Sequence, residues 1–178
     1  MKKIVHSVLA SMYASVFALA ASAAFAQSAA PNDAQITGIV VTANTVDIDA
    51  GKLAQKMSKN KEVQQFGKQM VADHTGVNKQ ATALVKRLKV KPEDSDTSKS
   101  LKDGGKANIS KLKGLKGAEF DKAYVENEVT YHQAVIDALD KTLIPNAKNA
   151  ELKDLLEKVK PAFVAHMEHA KQIQQSLK

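Results

Sequence analysis

The chain has 178 residues, no Cys, no Trp, 4% aromatic and 44% hydrophobic residues, and a formal net charge of +7. That length allows one domain or two. The missing Cys excludes disulfides, thiolate metal sites, Cys nucleophiles and c-type haem attachment, and 25% charged residues beside so much apolar content exclude a disordered chain.

Lys2 and Lys3 form a basic start, Ile4 to Leu19 is apolar or small, and Ala24-Phe25-Ala26 fits a small-x-small cleavage site. The expected reading is a Sec-type signal over residues 1–26, cleaved after Ala26, that delivers the protein to a bacterial periplasm. Removing it leaves 24 basic against 19 acidic residues, a charge of +5. Residues 27–32 then form a short tail ending in Pro31-Asn32.

Asn32 with Gln35 resembles a capping pair, and predicts a first helix from 33 to about 57, broken by Ser58-Lys59-Asn60. A second helix is predicted over about 61–88, before Pro92. Residues 89–117 are polar, contain Gly104, Gly105, Gly114 and Gly117, and predict a connection with at best one short helix around 97–112. A third helix is expected over about 118–143, before Pro145, and a fourth from Asn146 or Asn149 to the C-terminus. Pro161 inside the fourth predicts a change of axis direction there, whether as a kink or as a helix in two pieces.

The ordering force is apolar periodicity. Ile36, Ile39, Ala43, Val46, Ala50 and Leu53 recur at steps of three and four. So do Val63, Phe66, Met70, Val77 and Leu84, then Val125, Val129, Ile136 and Leu139, then Leu152, Leu156, Val159, Phe163 and Ile173. Four such stripes predict an all-α, antiparallel four-helix bundle over 33–178, monomeric or weakly dimeric.

Three of the stripes contain one histidine each, His74, His132 and His166. Asp47 and His74 lie 13 and 14 residues from the turn near Asn60, so they share a level. Around the turn near Asn146, His132 is 14 residues before and His166 is 20 after, an offset of ~9 Å that Glu128 largely bridges. Asp47/His74 are thus one expected level and Glu128/His132/His166 another, the 89–117 connection deciding whether the two coincide, and Asp73 stands one step off its stripe. No Glu-x-x-His precedes the histidines, which argues against a di-iron oxidase site. Two readings stay open. One is a buried polar network that fixes helix register, each His bonded to a carboxylate or to Tyr124 or Tyr131, with no cofactor. The other is a mononuclear Zn or Cu site made by His74, His132 and His166 with Asp47 and Glu128 nearby. Met70, Met167 and His169 are close enough in sequence to suggest a softer Cu(I) variant, or plain packing.

No phosphate loop, Gly-x-Gly-x-x-Gly, nucleophile elbow or His-Glu-x-x-His occurs, so no catalytic residue is assigned and a non-enzymatic role is expected. Residues 86–116 hold ten basic and four acidic side chains. Without interleaved aromatics they do not suit nucleic acid, and they read as a solvated linker or as contact with an anionic envelope surface. The expected function is an exported helical protein of the cell envelope, structural or stress-related, with a small-ligand or metal-binding protein as the alternative.

The runs Asp47–Ala54, Val63–Thr75 with its Phe66-Gly67-x-x-Met70-Val71-x-Asp73-His74-Thr75 block, Ala118–Tyr124 with His132, and Pro161 with His166 resemble the exported bacterial family known as domain of unknown function 4142. The resemblance covers nearly all of the mature chain. It implies a ferritin-like helical bundle in the periplasm or outer envelope, with no established activity. It also implies Glu where this chain has Asp47, and an acid beside His132 where this chain has Thr130 and Tyr131.

Overall fold

The computed structural model describes residues 30–177; the predicted signal lies outside the described residues. These residues form helices and no strand. Asn32 starts α1 (Asp33–Met57): its side chain accepts the Gln35 amide hydrogen at 2.9 Å, and Gln35 Oε1 accepts the Asn32 amide hydrogen at 3.1 Å. This is the reciprocal cap that the sequence predicts. Asn60 caps α2 (Lys61–Leu88) by accepting from the Glu62 and Val63 amides. Pairing along the two helices is antiparallel, from Asn44–Asn78 at one end to Gly51–Gly67 nearer the turn.

The connection differs from expectation. After Lys89, left-handed at φ 54°, the chain runs back over the start of α1, where the Glu93 amide donates to Ala34 O at 3.1 Å and Gly38 leaves room for the Glu93 backbone. It then forms α3 (Asp96–Lys113), an 18-residue helix capped by Ser95. Few large apolar residues announce α3, because its buried face is Thr97, Ser98, Leu101, Gly105, Asn108 and Leu112. α4 (Gly117–Ala138) continues through a π-helical turn (Leu139–Leu143) and a last turn (Ile144–Asn146) that contains Pro145.

α5 (Ala150–Ser176) is capped by Asn149 and runs as one helix through Pro161, so the two-piece alternative fails. Pro161 removes the donor for the Glu157 carbonyl, and that turn is exposed to water.

The apolar core is divided into two layers. One holds Ile36, Ile39, Ala43, Val77, Leu84, Val135, Leu139, Leu156 and Phe163. The other holds Ala50, Leu53, Phe66, Met70, Leu112, Phe120, Tyr124, Val125, Ala170 and Ile173. Each fully buried Leu, Ile or Phe contributes ~1.5–3 kcal/mol of transfer free energy. α1 and α5 pass from the first layer to the second, α2 and α4 from the second to the first. α3, with Leu101 in one layer and Leu112 in the other, carries the chain back between them. On α1, α2 and α4 the residues between the layers are polar and buried: Asn44 and Asp47, His74, Glu128 and His132; α5 adds His166, beside Met167 of the first layer. No helix among the described residues is long and apolar enough to cross a membrane.

Candidate metal centre

The inter-layer position places the three histidines together. The ring centroids of His74, His132 and His166 lie 5.3–5.6 Å apart, pair by pair. One nitrogen from each ring lies within 4.8 Å of the others. Asp47 reaches two of them: its Oδ2 is 3.0 Å from His74 Nε2 and 3.4 Å from His132 Nε2. Asp47, Glu128 and His132 form a second converging set. All five are 4% exposed or less, so the charges among them are poorly screened. Phe163 stacks on His74 at 5.1 Å and forms an apolar wall.

The hydrogen-bond partners of the rings choose their tautomers. His74 Nδ1 is 2.6 Å from Asn44 Oδ1, and the Asn44 amide is oriented by Nδ2–H bonds to Val40 O at 2.9 Å and Asn78 Oδ1 at 3.1 Å. Its oxygen can only accept, so His74 carries hydrogen on Nδ1. His132 Nδ1 donates to the Glu128 backbone oxygen at 3.0 Å, and His166 Nε2 donates to Asp73 Oδ2 at 2.9 Å. The other nitrogens, His74 Nε2, His132 Nε2 and His166 Nδ1, are buried without a hydrogen-bond partner, as are both carboxylate oxygens of Asp47. In neutral rings those three nitrogens are lone pairs. Lone pairs of His74 and His132 against the Asp47 carboxylate repel it until a cation, a proton or a metal ion, lies between them. Outer groups that fix the imidazoles in this manner are the usual support of metal-bound histidine.

Charge states follow from burial and neighbours. Burial pushes the Asp47 carboxyl up, but His74, His132 and His166 outweigh it and hold the group below its ordinary value. Burial, and then the Asp47 charge, pushes Glu128 well above the carboxylate range and favours its neutral form. Burial lowers His132 to about 4, against partial opposition from Asp47, so its ring is neutral at neutral pH. His166 is also lowered by burial, opposed by its bond to Asp73. Asp73, 46% exposed, links the centre to solvent.

The five site residues Asp47, His74, Glu128, His132 and His166 lie together in this centre, so the two levels coincide. α4 extends to Asn146, so the α4–α5 turn falls at 147–149 and the offset of ~9 Å between His132 and His166 largely disappears. Tyr131 does not bond a histidine; its hydroxyl donates to Ala43 O at 3.0 Å. Tyr124 is buried beside Glu128, and burial, followed by the Glu128 carboxylate where that group ionises, raises its pKa well above the ordinary value. Met70 and Met167 pack in the apolar layers, and His169 packs against the Phe66 ring. The sequence reading gave no role to Asn44, which lies one turn before Asp47, and left Asp73 outside the stripe. Both prove to be partners of the histidine rings.

The fold and the centre together define an all-helical protein with a buried histidine–carboxylate cluster between two apolar layers. The chain belongs to the family described as Domain of unknown function (DUF4142), whose model matches residues 18–173. No curated protein and no solved structure matches the chain.

Proposed function

We propose that this is an exported envelope protein that binds one divalent transition-metal ion. The ligands are His74, His132 and His166, with Asp47 as the carboxylate. The observation that carries the reading is the convergence of three histidine nitrogens within 4.8 Å of one another, with Asp47 Oδ2 against two of them and each ring fixed from behind by Asn44, the Glu128 carbonyl or Asp73. Three nitrogens and one carboxylate oxygen suit a borderline ion of the zinc–copper class. Metal–nitrogen bonds of ~2.0–2.1 Å require the ligand atoms to draw inward by ~1 Å, which side-chain rotation supplies.

Export is supported by the signal pattern of residues 1–26. A binding role, without turnover, is supported by the lack of catalytic motifs in the sequence. A ferritin-like architecture is supported by the order in which the helices traverse the two layers: α1 and α2 oppose, α4 and α5 oppose, and α3 serves as the single long crossover that such bundles use.

The test is metal titration of untagged, demetallated protein with Zn²⁺ and with Cu²⁺. One equivalent should bind, and at a hundredfold excess over Kd the fold should gain about 2.7 kcal/mol. The His74→Ala/His132→Ala/His166→Ala variant should bind none. A folded wild-type protein that takes up neither ion would overturn the reading in favour of a register-fixing polar network.

A further inference from the structure

A second feature stands apart from the metal centre. α1 and α3 enclose an open groove of about 790 Å³ whose rims carry five lysines, Lys52 and Lys56 on α1 and Lys102, Lys106 and Lys113 on α3, against one carboxylate, Asp49. The helical spacing explains the rims. Lys52 and Lys56 are four residues apart, and Lys102, Lys106 and Lys113 follow at steps of four and seven, so each set lines one side of its helix. Between the rims the floor is apolar, formed by Val46, Leu53 and Ile109. The helices can approach here because Gly105 lies against Val46, where a Cβ would stand 2.7 Å from a Val46 methyl.

Lys52 is paired with Asp49 at 3.5 Å and Lys106 with Asp103 at 3.3 Å. Lys56, Lys102 and Lys113 have no carboxylate partner among the described residues. The α3 rim spans eleven residues, ~16 Å.

We propose that this groove binds a single-chain anionic amphiphile, an alkyl chain on the Val46/Leu53/Ile109 floor with a phosphate or carboxylate head held by the unpaired lysines. A small inorganic anion would use the lysines and leave the floor wet. An uncharged chain would use the floor and leave the cations without counter-charge. Only a molecule with both parts satisfies both surfaces, and the groove volume lies within the range of small-molecule sites. Five lysines at helical spacing also explain why the basic segment looked like a plain solvated linker from sequence: two of the lysines lie on α1, fifty residues earlier.

The experiment is calorimetric titration of the purified protein at low salt with dodecyl phosphate and with laurate, each below its micelle-forming concentration. Dodecyl maltoside and inorganic phosphate serve as controls. One equivalent of an anionic chain should bind, and whichever head binds more tightly identifies the head chemistry. The surface variant Lys56→Ala/Lys102→Ala/Lys113→Ala should keep its helical circular dichroism and weaken binding at least about tenfold. Equal binding of dodecyl maltoside, displacement by inorganic phosphate at comparable concentration, or an unweakened triple variant would each overturn the proposal. So would adsorption to anionic vesicles without uptake of either free chain, which would make the lysines a membrane-contact surface.

Discussion

Asn44 Oδ1 accepts the His74 Nδ1 hydrogen at 2.6 Å, and this bond decides which nitrogen His74 turns toward Asp47. Asn44→Ala therefore removes the support of one proposed metal ligand without touching any of the four. Zn²⁺ affinity should fall about ten- to a hundredfold. Asn44→Asp, which still accepts from Nδ1–H, should keep most of it. Titration of the two variants beside their metal-free melting temperatures checks this: affinity lost in Asn44→Ala only in proportion to lost stability would make Asn44 a packing residue.

In the metal-free protein two buried groups give opposite dependences of stability on pH. His132 titrates near 4 in the fold and at 6.5 in the open chain, so its contribution is complete above 6.5 and lost as pH falls toward 4. At most this is about 3 kcal/mol. Glu128 is raised above its ordinary 4.5, so its contribution is complete below 4.5 and lost as pH rises through the folded value. Glu128→Gln should remove the second limb. The variant's urea midpoint should climb more steeply than wild type from pH 4 to 6.5 and then stay level. Superimposable profiles would show that Glu128 does not hold the proton.

Gly51 and Gly67 meet across the α1–α2 hairpin. A Cβ on Gly51 would stand 2.7 Å from Gly67 O, and one on Gly67 would stand 2.8 Å from Gly51 O, both against backbone. In a helix Ala is better than Gly by ~1 kcal/mol, but forcing two backbones apart costs ~1–3 kcal/mol. Steric cost should win. Gly51→Ala should lower thermal stability, and metal affinity with it, because Asp47 lies one turn away and must stay 3.0 Å from His74. An unchanged melting temperature would refute the close packing.

Asp33 accepts from the Lys148 amide at 2.8 Å and from the Asn149 amide at 2.9 Å, fastening the start of α1 to the α4–α5 turn. Asp33→Ala should cost about 1–2 kcal/mol in chemical denaturation, since two charge-assisted bonds near the surface are lost. Asp33→Asn, which retains one acceptor, should cost less.

Helices α1, α2, α4 and α5 were legible in the sequence because each buries a continuous apolar stripe, with Asn32 marking the start of α1, while Asn60 read only as a break and Asn146 competed with Asn149. α3 was reduced to a short helix in a polar connection, because Thr97, Ser98, Gly105 and Asn108 occupy half of its buried face and imitate loop composition. His74, His132, His166, Asp47 and Glu128 were found as departures from those stripes. Their common level stayed open because it depends on the 89–117 connection, and the ~9 Å offset counted from Asn146 shrinks because α5 starts only at Ala150. Asn44 and Asp73 were given no place in the centre because periodicity reports which residues are inside, and a ring's outer partner is one residue or one turn away from that pattern.

The two hairpins share the four proposed ligands equally: α1–α2 carries Asp47 and His74, α4–α5 carries His132 and His166. Two donors hold a divalent ion loosely in water, while four converging ones hold it firmly. Uptake of the ion would therefore work as a proof-reader of assembly. A chain with both hairpins formed but not docked would give nearly full helical dichroism and still take up no metal. Ion occupancy would then separate correctly assembled molecules from merely helical ones.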